Sequence, residues 1–153
     1  MDILIRVARM EHSQPIWQWR NDAQTRAMSR NQDKIAWEIH QEWYKRVLED
    51  PCRHLFVGYA GESLFGMMRF DKCENEDCIY EISINLDPFH RGKGLGKVFL
   101  AEGIEKFWGD VADAKIIIAE IKDDNEASKK VFANAGFQEQ GRGDSVTILR
   151  LLR

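Results

Sequence analysis

The segment His90-Arg91-Gly92-Lys93-Gly94-Leu95-Gly96-Lys97 brings three glycines together with the basic side chains Arg91, Lys93 and Lys97. It lies between a predicted strand and a predicted helix. A helix N-terminus has unpaired N–H groups and a partial positive charge, and glycines let main chain approach an anion closely. The arrangement therefore predicts a phosphate site. Two rival phosphate loops fail on spacing. A dinucleotide fingerprint needs G-x-G-x-x-G, but Gly92 and Gly94 are followed by Lys97; a P-loop needs Lys then Ser or Thr, but Lys97 is followed by Val98. What remains is R-x-x-G-x-G, from Arg91 to Gly96.

Two carboxylates are candidates for proton transfer. Glu120 interrupts a strand otherwise made of Ile116, Ile117, Ile118 and Ile121. A carboxylate in such a run is costly unless it is solvated or paired, which marks it as a candidate base. The competing reading is an outward-facing glutamate in a salt bridge. Glu81, on the preceding predicted strand, is the second candidate, as base or as a ligand for a substrate hydroxyl. No metal site is expected. Cys73 and Cys78 flank an acidic turn but have no C-x-x-C or H-x-x-x-H partner.

The elements that must position these residues follow from periodicity. A first strand is predicted over 2–8. Ser13 as N-cap and Pro15 in the first turn predict a helix over 13–27, with Ile16, Trp19 and Ala23 on one face. Ile35, Ile39, Trp43 and Val47 recur every four residues and predict a helix over 33–49, ended by Asp50-Pro51. His54–Ala60 and Leu64–Phe70 form a predicted hairpin about Gly61-Glu62-Ser63. A strand over 78–86 follows, with Ile82, Ile84 and Leu86 on one face. The helix over 94–109 is expected to bury Val98, Ala101, Ile104 and Trp108. Three consecutive isoleucines at 116–118 predict a central strand buried on both faces. Asn125 caps a helix through Ala135, and Gly136 ends it. Strands over 137–140 and 146–152, joined by Gly141-Arg142-Gly143-Asp144, close the chain. The expected fold is a mixed α/β sheet of six or seven strands flanked by about four helices, in one domain spanning 1–153.

The 153 residues are 44% hydrophobic and 31% charged, with a formal net charge of -3. Such a composition has no basic excess and points away from a nucleic-acid partner. No apolar run approaches a membrane span, and the sequence Met1-Asp2-Ile3-Leu4-Ile5-Arg6 lacks the features of a signal peptide. The odd cysteine count (Cys52, Cys73, Cys78) favours free thiols in a reducing compartment. A cytoplasmic protein, monomer or homodimer, is the expectation.

Asp87-Pro88-Phe89-His90-Arg91-Gly92-Lys93-Gly94-Leu95-Gly96 resembles motif A of the GCN5-related N-acetyltransferase (GNAT) superfamily. Asn125 through Phe137 resembles its motif B, commonly N-x-x-S/A-x-x-x-Y-x-x-x-G-F. The resemblance implies that acetyl-coenzyme A is the cosubstrate and that the amides of Arg91, Gly92, Lys93, Gly94, Leu95 and Gly96 hold its pyrophosphate. It implies that two parallel strands splay around the pantetheine, and that main chain at Ile84, Asn85 and Leu86 pairs with that arm and polarises the thioester. Asn125, Ser128 and Phe132 would contact the cofactor, and some family members carry a catalytic glutamate at the position of Glu120.

One departure matters. The family's usual acid is the tyrosine of motif B, and Phe132 stands there. Tyr44 and Tyr80 are the alternative candidates to protonate the thiolate; otherwise it leaves unassisted. On the acceptor side, Trp19-Arg20-Asn21-Asp22 and His40-Gln41-Glu42-Trp43 resemble acetyltransferases of nucleotide-linked amino sugars, the pseudaminic-acid type among them. That resemblance makes Arg20, Asn21, Tyr44 and Tyr80 candidate substrate residues, with Arg20 gripping a phosphate. The runner-up acceptors are a protein N-terminus or a polyamine. The alternative from another class is a catalytically weak coenzyme A-binding regulatory module.

Overall fold

In the computed structural model, which describes residues 2–153, the strands are β1 (Leu4–Val7), β2 (Arg53–Ala60), β3 (Ser63–Lys72), β4 (Ile79–Leu86), β5 (Ile116–Lys122), β6 (Gln138–Gly143) and β7 (Val146–Leu152). The helices are α1 (Ser13–Arg20), α2 (Ala23–Ala27), α3 (Trp37–Glu49), α4 (Leu95–Asp110) and α5 (Glu126–Asn134). The strands make one sheet in the order β1-β2-β3-β4-β5-β7-β6. Its pairings are antiparallel except β4 with β5, which is parallel. This is the mixed α/β architecture expected.

The fifth helix arises because the predicted helix over 13–27 is broken. Asp22 takes an extended ψ of 136°, and its carboxylate accepts from Thr25 N at 3.1 Å, capping a new helix. Ala23, expected on the buried face, is exposed. The next helix begins at Trp37 rather than 33 because the backbone at Ile35 is already engaged. Its carbonyl accepts from Trp17 Nε1 (2.7 Å) and Asn21 Nδ2 (2.9 Å), and its N–H donates to Asn21 Oδ1 (2.8 Å).

Helix α3 keeps Val47 of the expected stripe inside and Trp43 half-buried, but turns Ile39 outward. His40, Tyr44 and Val47 are buried, while Ile39 is 64% exposed. The polar atoms of His40 and Tyr44 find partners, so these large rings take the buried place that the spacing suggested for Ile39. Likewise α4 buries Leu95, Phe99, Leu100, Gly103, Ile104 and Phe107, and leaves Ala101 exposed. The strand β5 alternates rather than being buried on both faces: Ile117, Ala119 and Ile121 are buried, while Ile116, Ile118 and Glu120 are half-buried.

Two apolar clusters sandwich the sheet. Phe70, Tyr80, Ile82, Phe99, Phe107, Ile117 and Phe132 belong to the one that includes α4 and α5. Ile16, Trp19, Tyr44, Val47, Val57 and Met67 form the other, under α1 and α3. The docking of α4 depends on two glycines that face each other across β2 and β3, Gly58 and Gly66. A Cβ at Gly58 would lie 2.7 Å from Phe65 Cζ and 2.8 Å from Phe99 Cε1; one at Gly66 would lie 2.8 Å from Leu86 Cδ2 and 3.0 Å from Phe99 Cε2. Phe99 is fully buried and its ring is rigid. Gly58→Ala should therefore destabilise the fold by about 1–3 kcal/mol, the usual cost of overpacking. The urea midpoint checks this, and an unchanged midpoint would mean that the rings yield freely.

Among the described residues, no helix is long and apolar enough to cross a membrane. No group of His, Cys, Asp and Glu among them could hold a metal. The three cysteines are free thiols.

Candidate active site

The parallel pair β4–β5 defines the site. Pairing covers Ile79 with Ile116, Tyr80 with Ile117 and Glu81 with Ile118, and stops there. Both strands continue, β4 to Leu86 and β5 to Lys122. Beyond Glu81 the edges of the two strands no longer bond each other, so main-chain N–H and C=O groups around Ile84, Asn85 and Leu86 lie beside a gap on the β5 side. Ligands of open α/β sheets bind at the carboxyl ends of strands, where adjacent connections diverge.

The glycine loop opens at the same end. Asp87 fixes the exit from β4: its carboxylate accepts from Phe89 N at 3.1 Å and contacts His90 Nδ1 at 3.0 Å. Gly92 and Gly94 then take φ of +76° and +75°, a left-handed backbone that side chains with a Cβ rarely adopt. Gly94 is the N-cap of α4 and no side chain caps this helix. The first-turn N–H groups of a 16-residue helix are thus left without a side-chain acceptor, beside exposed Lys93 and Lys97. These residues fit a diphosphate.

Arg91 is turned elsewhere. Its guanidinium pairs with Asp22 at 2.9 Å and donates to Thr25 Oγ1 (2.6 Å) and Gln24 Oε1 (3.0 Å). Thr25 Oγ1 reaches Asn85 Oδ1 at 3.4 Å. The loop is therefore tethered to α2, and α2 to β4.

Glu81 and Glu120 meet on the sheet face that packs under α1 and α3. A single side chain, Arg30, joins them. Its Nε donates to Glu120 Oε1 at 3.0 Å; its Nη2 donates to Glu120 Oε2 and, at 2.8 Å, to Glu81 Oε2. Burial pushes the Glu81 carboxyl above the usual range, against the pull of Arg30, with Glu120 adding to the rise. Bonding to Glu120 is the main cause that holds Arg30 above its ordinary value. Glu120 is thus both the salt-bridged strand glutamate and a candidate base.

The other expected residues are distributed as follows. Asn125 is the N-cap of α5, its side chain accepting from Ser128 N at 3.2 Å. Phe132 is buried in the main core, edge-on to Phe137 with ring centroids 5.0 Å apart. Tyr44 is fully buried in the second cluster and donates to Arg9 O at 2.6 Å, and burial raises its pKa. Tyr80 lies on the opposite face of β4 from Glu81, by the two-residue period of a strand. Its hydroxyl donates to Asp113 at 3.3 Å, and its pKa is pushed up to about 12 by burial and by that carboxylate. Neither tyrosine meets the carboxylate pair.

The Trp19-Arg20-Asn21-Asp22 segment is engaged internally throughout. Trp19 is core, and Asn21 staples Ile35. Asp22 caps α2 and pairs with Arg91. Arg20 donates to His40 Nδ1 at 3.0 Å and stacks 4.2 Å from the Trp43 ring centroid. Burial, then the nearby Arg69, lowers the Arg20 pKa to about 10.

His40 is fully buried between this guanidinium and the Ser13 carbonyl, 3.0 Å from Nε2. That fixes a neutral ring with the proton on Nε2. Burial, and next Arg20, lower its pKa to about 4 from an ordinary 6.5. His12 and His54 are also held below that ordinary value, mainly by burial. The stability from a neutral His40 is fully present above pH 6.5 and is lost as pH falls from there toward 4. The loss should be on the order of 3 kcal/mol. Denaturation midpoints across this range check it, and His40→Gln should flatten most of the slope.

Arg30, Thr25 and Lys122 were not legible as site residues. Lys122 Nζ donates to Ala27 O at 3.0 Å and holds the end of α2 against β5. Arg30 lies in a polar stretch without periodicity, and only its partners reveal it.

An open mixed sheet whose two parallel strands part beside a helix N-terminus without a side-chain cap defines an α/β protein with a cleft at the carboxyl ends of those strands. The profile of the acetyltransferase (GNAT) family matches residues 14–137, and the chain belongs to this family. It is similar to the N-alpha-acetyltransferase RimI of Mycobacterium tuberculosis, 31% identical over 107 residues, which is 64% of this chain and 60% of that protein. The chain thus spans less than two thirds of that relative's length. Among solved structures it resembles spermidine N-acetyltransferase from Vibrio cholerae in complex with CoA and spermine. The TM-score is 0.87 at 17% identity, over 98% of this chain and 95% of that one. It also resembles an aminoglycoside acetyltransferase in complex with coenzyme A, with a TM-score of 0.83 at 17% identity, over 99% and 95%. Likeness at that identity bears on the fold.

Proposed function

We propose that this chain is an N-acetyltransferase of the cytoplasm, monomer or homodimer, that transfers an acetyl group from acetyl-coenzyme A to a primary amine in a ternary complex. The observation that carries the reading is the end of β4–β5 pairing at Glu81–Ile118, with the uncapped α4 start at the same end of the sheet. Amides of Gly92, Lys93, Gly94, Leu95 and Gly96 would hold the pyrophosphate, and Asn125 and Ser128 would border the pantetheine arm. The cofactor supplies the activated acetyl thioester.

The chain's own residues do the rest. Glu120 accepts a proton from the acceptor ammonium, directly or through water, with Glu81 beside it to raise the local demand for cation. Main-chain N–H at the freed edge of β4 meets the developing oxyanion. With Phe132 in the core and Tyr80 and Tyr44 bonded elsewhere, no tyrosine acid is assigned. A thiolate is a weak enough base to leave near neutral pH without one.

The nucleotide-linked amino sugar is the less supported acceptor, because Arg20 is held by His40 and Trp43 rather than free for a phosphate. The Glu81–Glu120 pair supports a cationic amine instead. Phe132 favours one second reading, a coenzyme A-binding module with little turnover. Thiol release from acetyl-coenzyme A across spermidine, peptide and amino-sugar acceptors tests both. A melting temperature raised by acetyl-coenzyme A with no thiol released for any amine would support the module and end the enzyme reading.

A further inference from the structure

Arg30 lies in the irregular segment between α2 and α3, and its side chain is 66% exposed. Its guanidinium nevertheless forks onto Glu120 and reaches Glu81. The two carboxylates sit on diverging strands, each still a quarter to a third exposed (26% and 31%). The segment is pinned on both sides of this contact. Lys122 holds Ala27, Arg91 holds Asp22 and Thr25, and Asn21 holds Ile35. The strap therefore delivers one cation to the pair of carboxylates that an acceptor ammonium would need.

Resting on the acetyl-transfer reading, we propose that Arg30 is a built-in competitor of the acceptor, and that the acceptor is a small amine carrying more than one positive charge. The Arg30 fork occupies both oxygens of Glu120, and its positive charge repels an incoming ammonium at the same two carboxylates, so the acceptor binds best when Arg30 is displaced. An exposed ion pair is weak enough to exchange at each turnover. A polycation has a second charge to place on Glu81 while its reacting nitrogen faces Glu120. An amine attached to a phosphate brings the wrong sign to both carboxylates, and Arg20 is not free to offset it.

The test uses spermidine as probe, with a uridine-diphosphate amino sugar and a peptide with one N-terminal charge beside it. In Arg30→Gln the KM for spermidine should fall about fivefold, the value of one weak exposed pair. Arg30→Lys should return KM toward the wild-type value. Calorimetric titration of spermidine into the coenzyme A-bound protein should show the same tightening without turnover. A KM that rises or stays fixed in Arg30→Gln would make Arg30 an acceptor-binding or purely structural residue and overturn the inference. So would a wild-type preference for the amino sugar or the singly charged peptide. In those outcomes thiol is still released and acetyl transfer stands. Absence of thiol release with every amine, despite coenzyme A binding, instead removes acetyl transfer and this inference with it.

Discussion

Gly94→Glu is expected to abolish binding of acetyl-coenzyme A. Gly94 caps α4 at φ +75°, with nothing within 4 Å of a Cβ placed there. Room for a side chain exists, so the loss comes from two other sources. Any residue with a Cβ resists the left-handed backbone at roughly 1–2 kcal/mol. The added carboxylate would also stand beside a diphosphate. Two like charges about 5 Å apart at an effective dielectric near 20 repel by about 3 kcal/mol, or about a hundredfold in affinity. Gly94→Ala separates the two sources, since it keeps only the conformational cost and should weaken binding by at most about five- to thirtyfold. Isothermal titration with coenzyme A reads both. Unchanged affinity in Gly94→Glu would remove the loop from the cofactor site.

Glu120→Gln should lower turnover at neutral pH by about a hundredfold, within the range usual for a positioned general base, and leave acetyl-coenzyme A affinity as it is. The amide keeps the shape and can still accept from Arg30, but it cannot take a proton. As pH rises toward the acceptor amine's own pKa, about 10 for an alkylamine, solvent deprotonates more of the amine and the deficit should shrink. Steady-state rates for wild type and variant across that range give the answer. A wild-type rate in Glu120→Gln passes the role to Glu81 or to water. Glu81→Gln is the necessary partner variant. Burial raises the Glu81 carboxyl and Glu120 adds to that rise, so its loss should alter the pH dependence of turnover more than its maximum.

Much of the fold was legible locally. Strand and hairpin positions followed from alternation and from Gly61; the α4 start followed from the glycine loop; the α5 cap followed from Asn125. Buried faces were less legible. On α3, His40 and Tyr44 bury their rings because partners satisfy their polar atoms, which counting apolar residues cannot foresee. On α4 the Gly58–Gly66 recess receives the Phe99 ring and Phe107 stacks on Phe70, while Val98 and Trp108 are left half-buried. The break at Asp22 was missed because its cap belongs to α2, whereas helical spacing ran through it.

By itself the sequence determined the glycine loop and its place between a strand and a helix, because that loop is built from consecutive residues and their backbone freedom. It also marked Glu120 as an anomaly in an apolar strand. Only the tertiary structure decided that Glu120 faces Glu81, that Arg30 bridges them, and that Arg20, Asn21, Tyr44 and Tyr80 are bonded elsewhere. Arg30 is 51 residues from Glu81 and 90 from Glu120 along the chain. Contacts over such separations are set by strand order and by which face each residue takes, so no local pattern carries them.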